Sequence, residues 1–108
     1  MKLLAGPSIL KGLKDVEIVE NKPLELTCEV SGTPRPACHW FKDDQPIAEN
    51  EHVKLTSKDN FFTLTIENSN EKNDKGVYRA EFVNDFGKSE SKSNVSIISM
   101  FFKLQFIF

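Results

Sequence analysis

Apolar and polar residues alternate singly along much of this chain, and that period of two is the feature that most restricts its fold. Leu24, Leu26, Cys28 and Val30 alternate with Glu25, Thr27 and Glu29. Successive side chains of an extended strand point to opposite faces, so such a segment buries one face and wets the other. Phe62, Leu64 and Ile66 alternate in the same way with Thr63, Thr65 and Glu67, and Tyr78, Ala80 and Phe82 with Arg79 and Glu81. Val16 with Ile18, Cys38 with Trp40, Val53 with Leu55 and Val95 with Ile97 supply four weaker strands. No stretch keeps a helical period. Short strands at this spacing predict an all-β sandwich, and 108 residues make one domain, long enough to bury a core without metal or disulfide staples.

The connections carry matching turn chemistry. Gly32-Thr33-Pro34-Arg35-Pro36 is stiff and extended, because each proline fixes φ and biases its predecessor away from the helical region. Asn21-Lys22 and Asp43-Asp44 offer residues that tolerate left-handed backbone at tight turns. Asn84-Asp85-Phe86-Gly87 reads as a hairpin turn in which Gly87 is free to take positive φ. Residues 68–74 are polar and loop-like, with room for a single helical turn.

Three features then occur in order: Cys28 in mid-strand, Trp40 on the next strand, and Asp74-Lys75-Gly76-Val77-Tyr78 well downstream. Together they resemble the immunoglobulin superfamily, and within it the intermediate set, over residues 7–99. The resemblance implies a Greek-key β-sandwich of two antiparallel sheets, with Trp40 at the centre of the core and a tyrosine corner at Tyr78. The corner tyrosine would bury its ring and bond backbone through its hydroxyl, with Gly76 relieving crowding and Asp74 accepting hydrogen bonds from the same turn. Gly32-x-Pro34-x-Pro36 before Trp40-Phe41-Lys42-Asp43 is similar to the family's B–C loop and C strand. Leu64-x-Ile66 looks like its E strand, and Asn84-x-x-Gly87 like its F–G hairpin.

One departure from the family carries functional information. The second cysteine of the inter-sheet disulfide normally lies two residues after the corner tyrosine, and here that residue is Ala80. Closing that loop would stabilise the fold by about 4 kcal/mol on the chain-entropy estimate. Extracellular domains seldom forgo such a bond, so its absence points to a reducing compartment. A Cys28–Cys38 disulfide would need Cα atoms within about 7 Å, whereas the resemblance puts the two on opposite sheets, so two free, buried thiols are expected. Cys38 is expected to fill part of the volume that Ala80 leaves.

Chemistry for catalysis is missing from the pattern. The chain shows no nucleophile elbow, no phosphate-cradling glycine loop and no zinc-type cysteine or paired-histidine spacing, and His39 points away from its neighbour Cys38. No cofactor, metal, small-molecule substrate or catalytic residue is therefore expected. A net charge of -2 with scattered lysines gives no clustered basic surface for nucleic acid. Met1-Lys2-Leu3-Leu4 begins like a secretory signal, but Gly6, Pro7 and Ser8 end its apolar stretch too early. The apolar segment at residues 97–108 is too short for a membrane-spanning helix and contains Ser99, Lys103 and Gln105.

Alternation places Phe41, Arg79, Glu81 and Val83 on the outer face of one sheet, a candidate partner surface. Asn94-Val95-Ser96 is a glycosylation sequon, read as a chance match in a Ser- and Asn-rich strand. Residues 1–6 are expected to be a flank or linker, and residues 100–108 an apolar tail foreign to the family. The resemblance extends to intracellular modules of titin, twitchin, obscurin and myosin-binding protein C. It implies a cytoplasmic, non-catalytic module of a sarcomeric or cytoskeletal protein, with filament components or neighbouring immunoglobulin and fibronectin domains as partners. The competing expectations are an extracellular adhesion or receptor domain that has lost its disulfide, and a non-catalytic domain of a giant kinase.

Overall fold

A computed structural model describes residues 3–99. Nine strands and one helical turn follow in chain order: β1 (Ala5–Lys11), β2 (Val16–Val19), β3 (Leu24–Thr33), β4 (Ala37–Lys42), β5 (Gln45–Pro46), β6 (Val53–Lys58), β7 (Phe61–Ile66), α1 (Glu71–Asp74), β8 (Gly76–Asn84) and β9 (Gly87–Ile98). One sheet runs β1-β3-β7-β6 and the other β2-β9-β8-β4-β5. Every pairing is antiparallel except β2 with β9. The alternating segments lie where their period predicts, with Leu24, Leu26, Cys28 and Val30 of β3 facing Tyr78, Ala80 and Phe82 of β8 across the core. Phe62 and Phe82 join the sheets edge to face, their ring centroids 5.1 Å apart.

The turn residues behave as their chemistry requires. Asn21, Asp43 and Asp44 adopt φ of 74°, 49° and 65°, conformations that short polar side chains tolerate. Asn70 caps α1, its side-chain oxygen accepting the N–H groups of Lys72 and Asn73. Gly87 differs from expectation: Gly76 is the glycine with positive φ among the described residues. The hairpin is held instead by Asn84, whose Oδ1 accepts the Phe86 N–H at 2.8 Å while its Nδ2 donates to the carbonyls of Ala5 and Pro34.

The first strand segment crosses between sheets, β1 pairing with β3 and β2 with β9. Inward-facing serines of β9 secure that crossing. Ser89 Oγ donates to the Pro7 carbonyl at 2.7 Å, Ser91 Oγ accepts the Leu13 N–H at 2.8 Å, and Ser93 Oγ donates to the Lys14 carbonyl at 2.6 Å. Gly12 permits the approach, since a Cβ there would lie 2.9 Å from Ser91 Oγ. These bonds satisfy backbone that leaves one ladder before joining the next. The residue 100–108 tail lies outside the described residues.

Candidate partner-binding face

The tyrosine corner sits at the start of β8. Tyr78 is buried, and its hydroxyl donates to the Asp74 carbonyl at 2.6 Å. Burial pushes the phenol's pKa well above its usual range, and the charges of Asp74 and Asp43 add to the shift. The Asp74 carboxylate accepts the Asn70 N–H at 2.7 Å and lies 2.9 and 3.0 Å from His52 Nε2, tying the turn before β6 to the corner. Gly76 has φ of 148°, and a Cβ there would fall 2.7 Å from Asp43 Oδ2. Asp43 accepts the Val77 N–H at 3.0 Å, and that bond is the main cause holding its carboxyl below the usual range.

Cys28, Trp40, Leu64 and Ala80 lie in the core with Tyr78. Register places Ala80 opposite Trp40 on one side and Ser91 on the other. Cys38 lies opposite Phe82, packed against the core but only half-buried, so the expectation of two buried thiols is corrected for Cys38; within its own sheet Ala80 is flanked by Trp40 and Ser91. Both cysteines are free. Burial raises the Cys28 thiol and pushes Cys38 up to about 12, which keeps both protonated at neutral pH.

Phe41, Arg79, Glu81 and Val83 share the outer face of the β4–β8–β9 sheet. Phe41 pairs directly with Arg79, whose guanidinium carbon lies 4.0 Å above the ring centroid. A cation over an aromatic face contributes about 0.5–1 kcal/mol when partly exposed. Arg79 also reaches Glu81 at 3.0 Å, Glu90 at 3.4 Å and Asp44 at 3.6 Å, and its side chain is only 17% exposed. Lys88 reaches Glu81 at 3.2 Å. Register sets like charges directly opposite, Arg79 with Lys92 and Glu81 with Glu90, an unfavourable arrangement on its own. The diagonal contacts Arg79–Glu90 and Lys88–Glu81 resolve it. Glu81 is held below the usual carboxylate range chiefly by its bond from Lys88, with Arg79 contributing.

The face is thus an ordered mosaic around a half-covered aromatic, with Val83 half-buried at the hairpin end. Lys88 and Glu90 were not among the residues placed on this surface from sequence, and Asp44 was read there only as a turn residue. The signal for Lys88 and Glu90 was the alternation Lys88-x-Glu90-x-Lys92, which extends β9 back to the hairpin. Among the described residues no cluster of His, Cys, Asp and Glu is arranged to hold a metal ion, and no helix is long and apolar enough to cross a membrane.

The profile of the Immunoglobulin I-set domain matches residues 7–97. The chain belongs to the immunoglobulin I-set family. Among curated relatives, this I-set chain is 36% identical over 104 residues to Muscle M-line assembly protein unc-89 of Caenorhabditis elegans, covering 94% of the chain and 1% of the relative. It is 35% identical to human Myomesin-2, covering 82% and 6%. It is also 30% identical to the Vascular endothelial growth factor receptor kdr-like of Danio rerio, covering 86% and 7%. The chain therefore spans a small fraction of each relative. The immunoglobulin domains in the crystal structure of the Titin M10-Obscurin like 1 Ig complex include a chain that superposes with a TM-score of 0.84 at 25% identity, covering 88% of this chain and 96% of that one.

Proposed function

We propose that this I-set domain is a non-catalytic structural and protein-binding module of an intracellular filament protein of the sarcomeric type. It engages a protein partner through the β4–β8–β9 face centred on Phe41 and Arg79. The observation that carries the reading is Ala80: the residue packed between Trp40 and Ser91 is not a cysteine, and Cys28 stays a thiol. A domain stable without the inter-sheet bond suits a reducing compartment, and the likeness to M-line proteins agrees with it. On the face, Arg79 is pre-ordered by three carboxylates and covers an aromatic ring. A partner that supplies a carboxylate meets it with little loss of side-chain entropy.

A receptor ectodomain is the second reading. The kdr-like relative favours it, as does the exposed placement of Asn94 within Asn94-Val95-Ser96 on β9. Immunofluorescence of source tissue with an antibody to this domain separates the two. Periodic staining that requires permeabilisation is expected; staining of intact cells, with a mass shift on glycosidase treatment, would overturn the proposal.

A further inference from the structure

The outer face of the β1-β3-β7-β6 sheet takes no part in that binding surface. Register places Glu25, Thr65 and Lys54 in one row across β3, β7 and β6. The next row is Thr27, Thr63 and Thr56, and the third is Glu29, Phe61 and Lys58. These side chains alternate with the buried residues of the same strands and so point outward. The face carries a column of acids on β3 and a column of lysines on β6. Between them on β7 lie two threonines and Phe61, which is 43% exposed. Thr27 and Thr63 bond through their hydroxyls at 3.1 Å, which fixes the middle row. Among the described residues none of Glu25, Glu29, Lys54 and Lys58 takes part in an ion pair.

We propose that this face is a self-association surface whose occupant is a second copy of the chain. A two-fold axis parallel to β7 lays β3 of one copy over β6 of the other. Glu25 of one copy then meets Lys54 of the other, and Glu29 meets Lys58, twice over by symmetry. Phe61 and Thr63 meet their own counterparts on the axis. An axis across the strands would set acids on acids, so charge selects the parallel arrangement alone. Lys11, beside Glu29 on β1, and Glu67, just beyond the end of β7, border the face. The two Glu67 side chains approach one another only at the rim, where solvent screens them. Three strands by three rows cover about 14 by 20 Å per copy, well under the roughly 800 Å² per partner of a stable complex. The dimer is therefore weak and salt-sensitive, and it forms where copies are held close together.

Sedimentation equilibrium of the full 108-residue chain tests this. The average mass should rise toward that of a dimer with concentration at low salt. It should fall back at about 1 M salt, where the screening length is about 3 Å. Glu25→Lys/Glu29→Lys and Lys54→Glu/Lys58→Glu should each weaken self-association on the order of tenfold or more. An equimolar mixture of the two variants should recover it, because their columns are then complementary throughout. A native chain that stays monomeric at low salt, a double variant that still associates alone, or a mixture that does not would overturn the proposal. If circular dichroism shows either double variant unfolded, the fourfold exchange of all four charges must associate like the native chain, and its failure to do so would also overturn it.

Discussion

Replacing Tyr78 by Phe isolates one hydrogen bond. The ring is 1% exposed, and its hydroxyl donates to the Asp74 carbonyl at 2.6 Å at the turn that leads from α1 into β8. The substitution keeps the ring and removes only the donor. It leaves the Asp74 carbonyl without that partner in a buried site, at a cost of about 1–3 kcal/mol. Relief of the phenol's own desolvation offsets part of this, so we expect a loss of about 2 kcal/mol. For a domain of this size each kcal/mol moves Tm by roughly 4–8 °C, which predicts a fall of about 10 °C. Urea unfolding followed by the fluorescence of Trp40, the one tryptophan and a core residue, measures the change. The denaturant slope should stay unchanged, since the surface exposed on unfolding is the same. A loss below about 0.5 kcal/mol at constant slope would refute the reasoning and assign the corner's stability to the Asp74 carboxylate instead.

Gly76→Ala should destabilise by about 1–3 kcal/mol, because a side chain at φ of 148° is strained and its Cβ would press on the Asp43 carboxylate; a melting temperature equal to that of the native chain would contradict this. Cys28 and Cys38 should resist alkylation in the folded chain at neutral pH, and both should react in urea without reductant. The carboxyl of Glu81 is depressed in the fold, so its contribution is present above its unfolded pKa and fades as pH falls through the folded value. Lys88→Met should therefore move the Glu81 titration upward in an NMR pH series, and an unmoved midpoint would remove Lys88 as the main cause. Tyr78 has the opposite sign: its folded pKa is raised, so its contribution is whole below about pH 10 and is lost at higher pH. Its absorbance change should accordingly coincide with alkaline unfolding.

The sandwich was readable because alternation encodes it directly: Leu24 to Val30 and Phe62 to Ile66 have only one way to bury one face and wet the other. The glycines were less transparent. Gly87 had the composition of a positive-φ turn, yet the structure puts positive φ at Gly76, where β8 begins against Asp43. The serines of β9 gave no apolar signal, so the inward period of Ser89, Ser91 and Ser93 was hidden although it secures the β1–β2 crossing. Cys38 was readable as an inward residue but not as a half-buried one, since β5 is only two residues long and leaves that stretch of β4 without a neighbour on its outer side. On the outer face of the β4–β8–β9 sheet, proposed as the partner surface, alternation placed Phe41, Arg79, Glu81 and Val83 together. It could not show that Arg79 would cover Phe41 or that diagonal pairs would offset facing like charges, because both depend on register across β4, β8 and β9.

The proposed function requires this domain to be one module of a much longer intracellular polypeptide. An immunoblot of source tissue with an antibody to the domain measures the mass of that polypeptide directly. The predicted result is a band far larger than 108 residues can produce, in the size range of a modular filament protein. A band no larger than this chain, with nothing above it, would contradict the filament reading and leave a domain that acts alone.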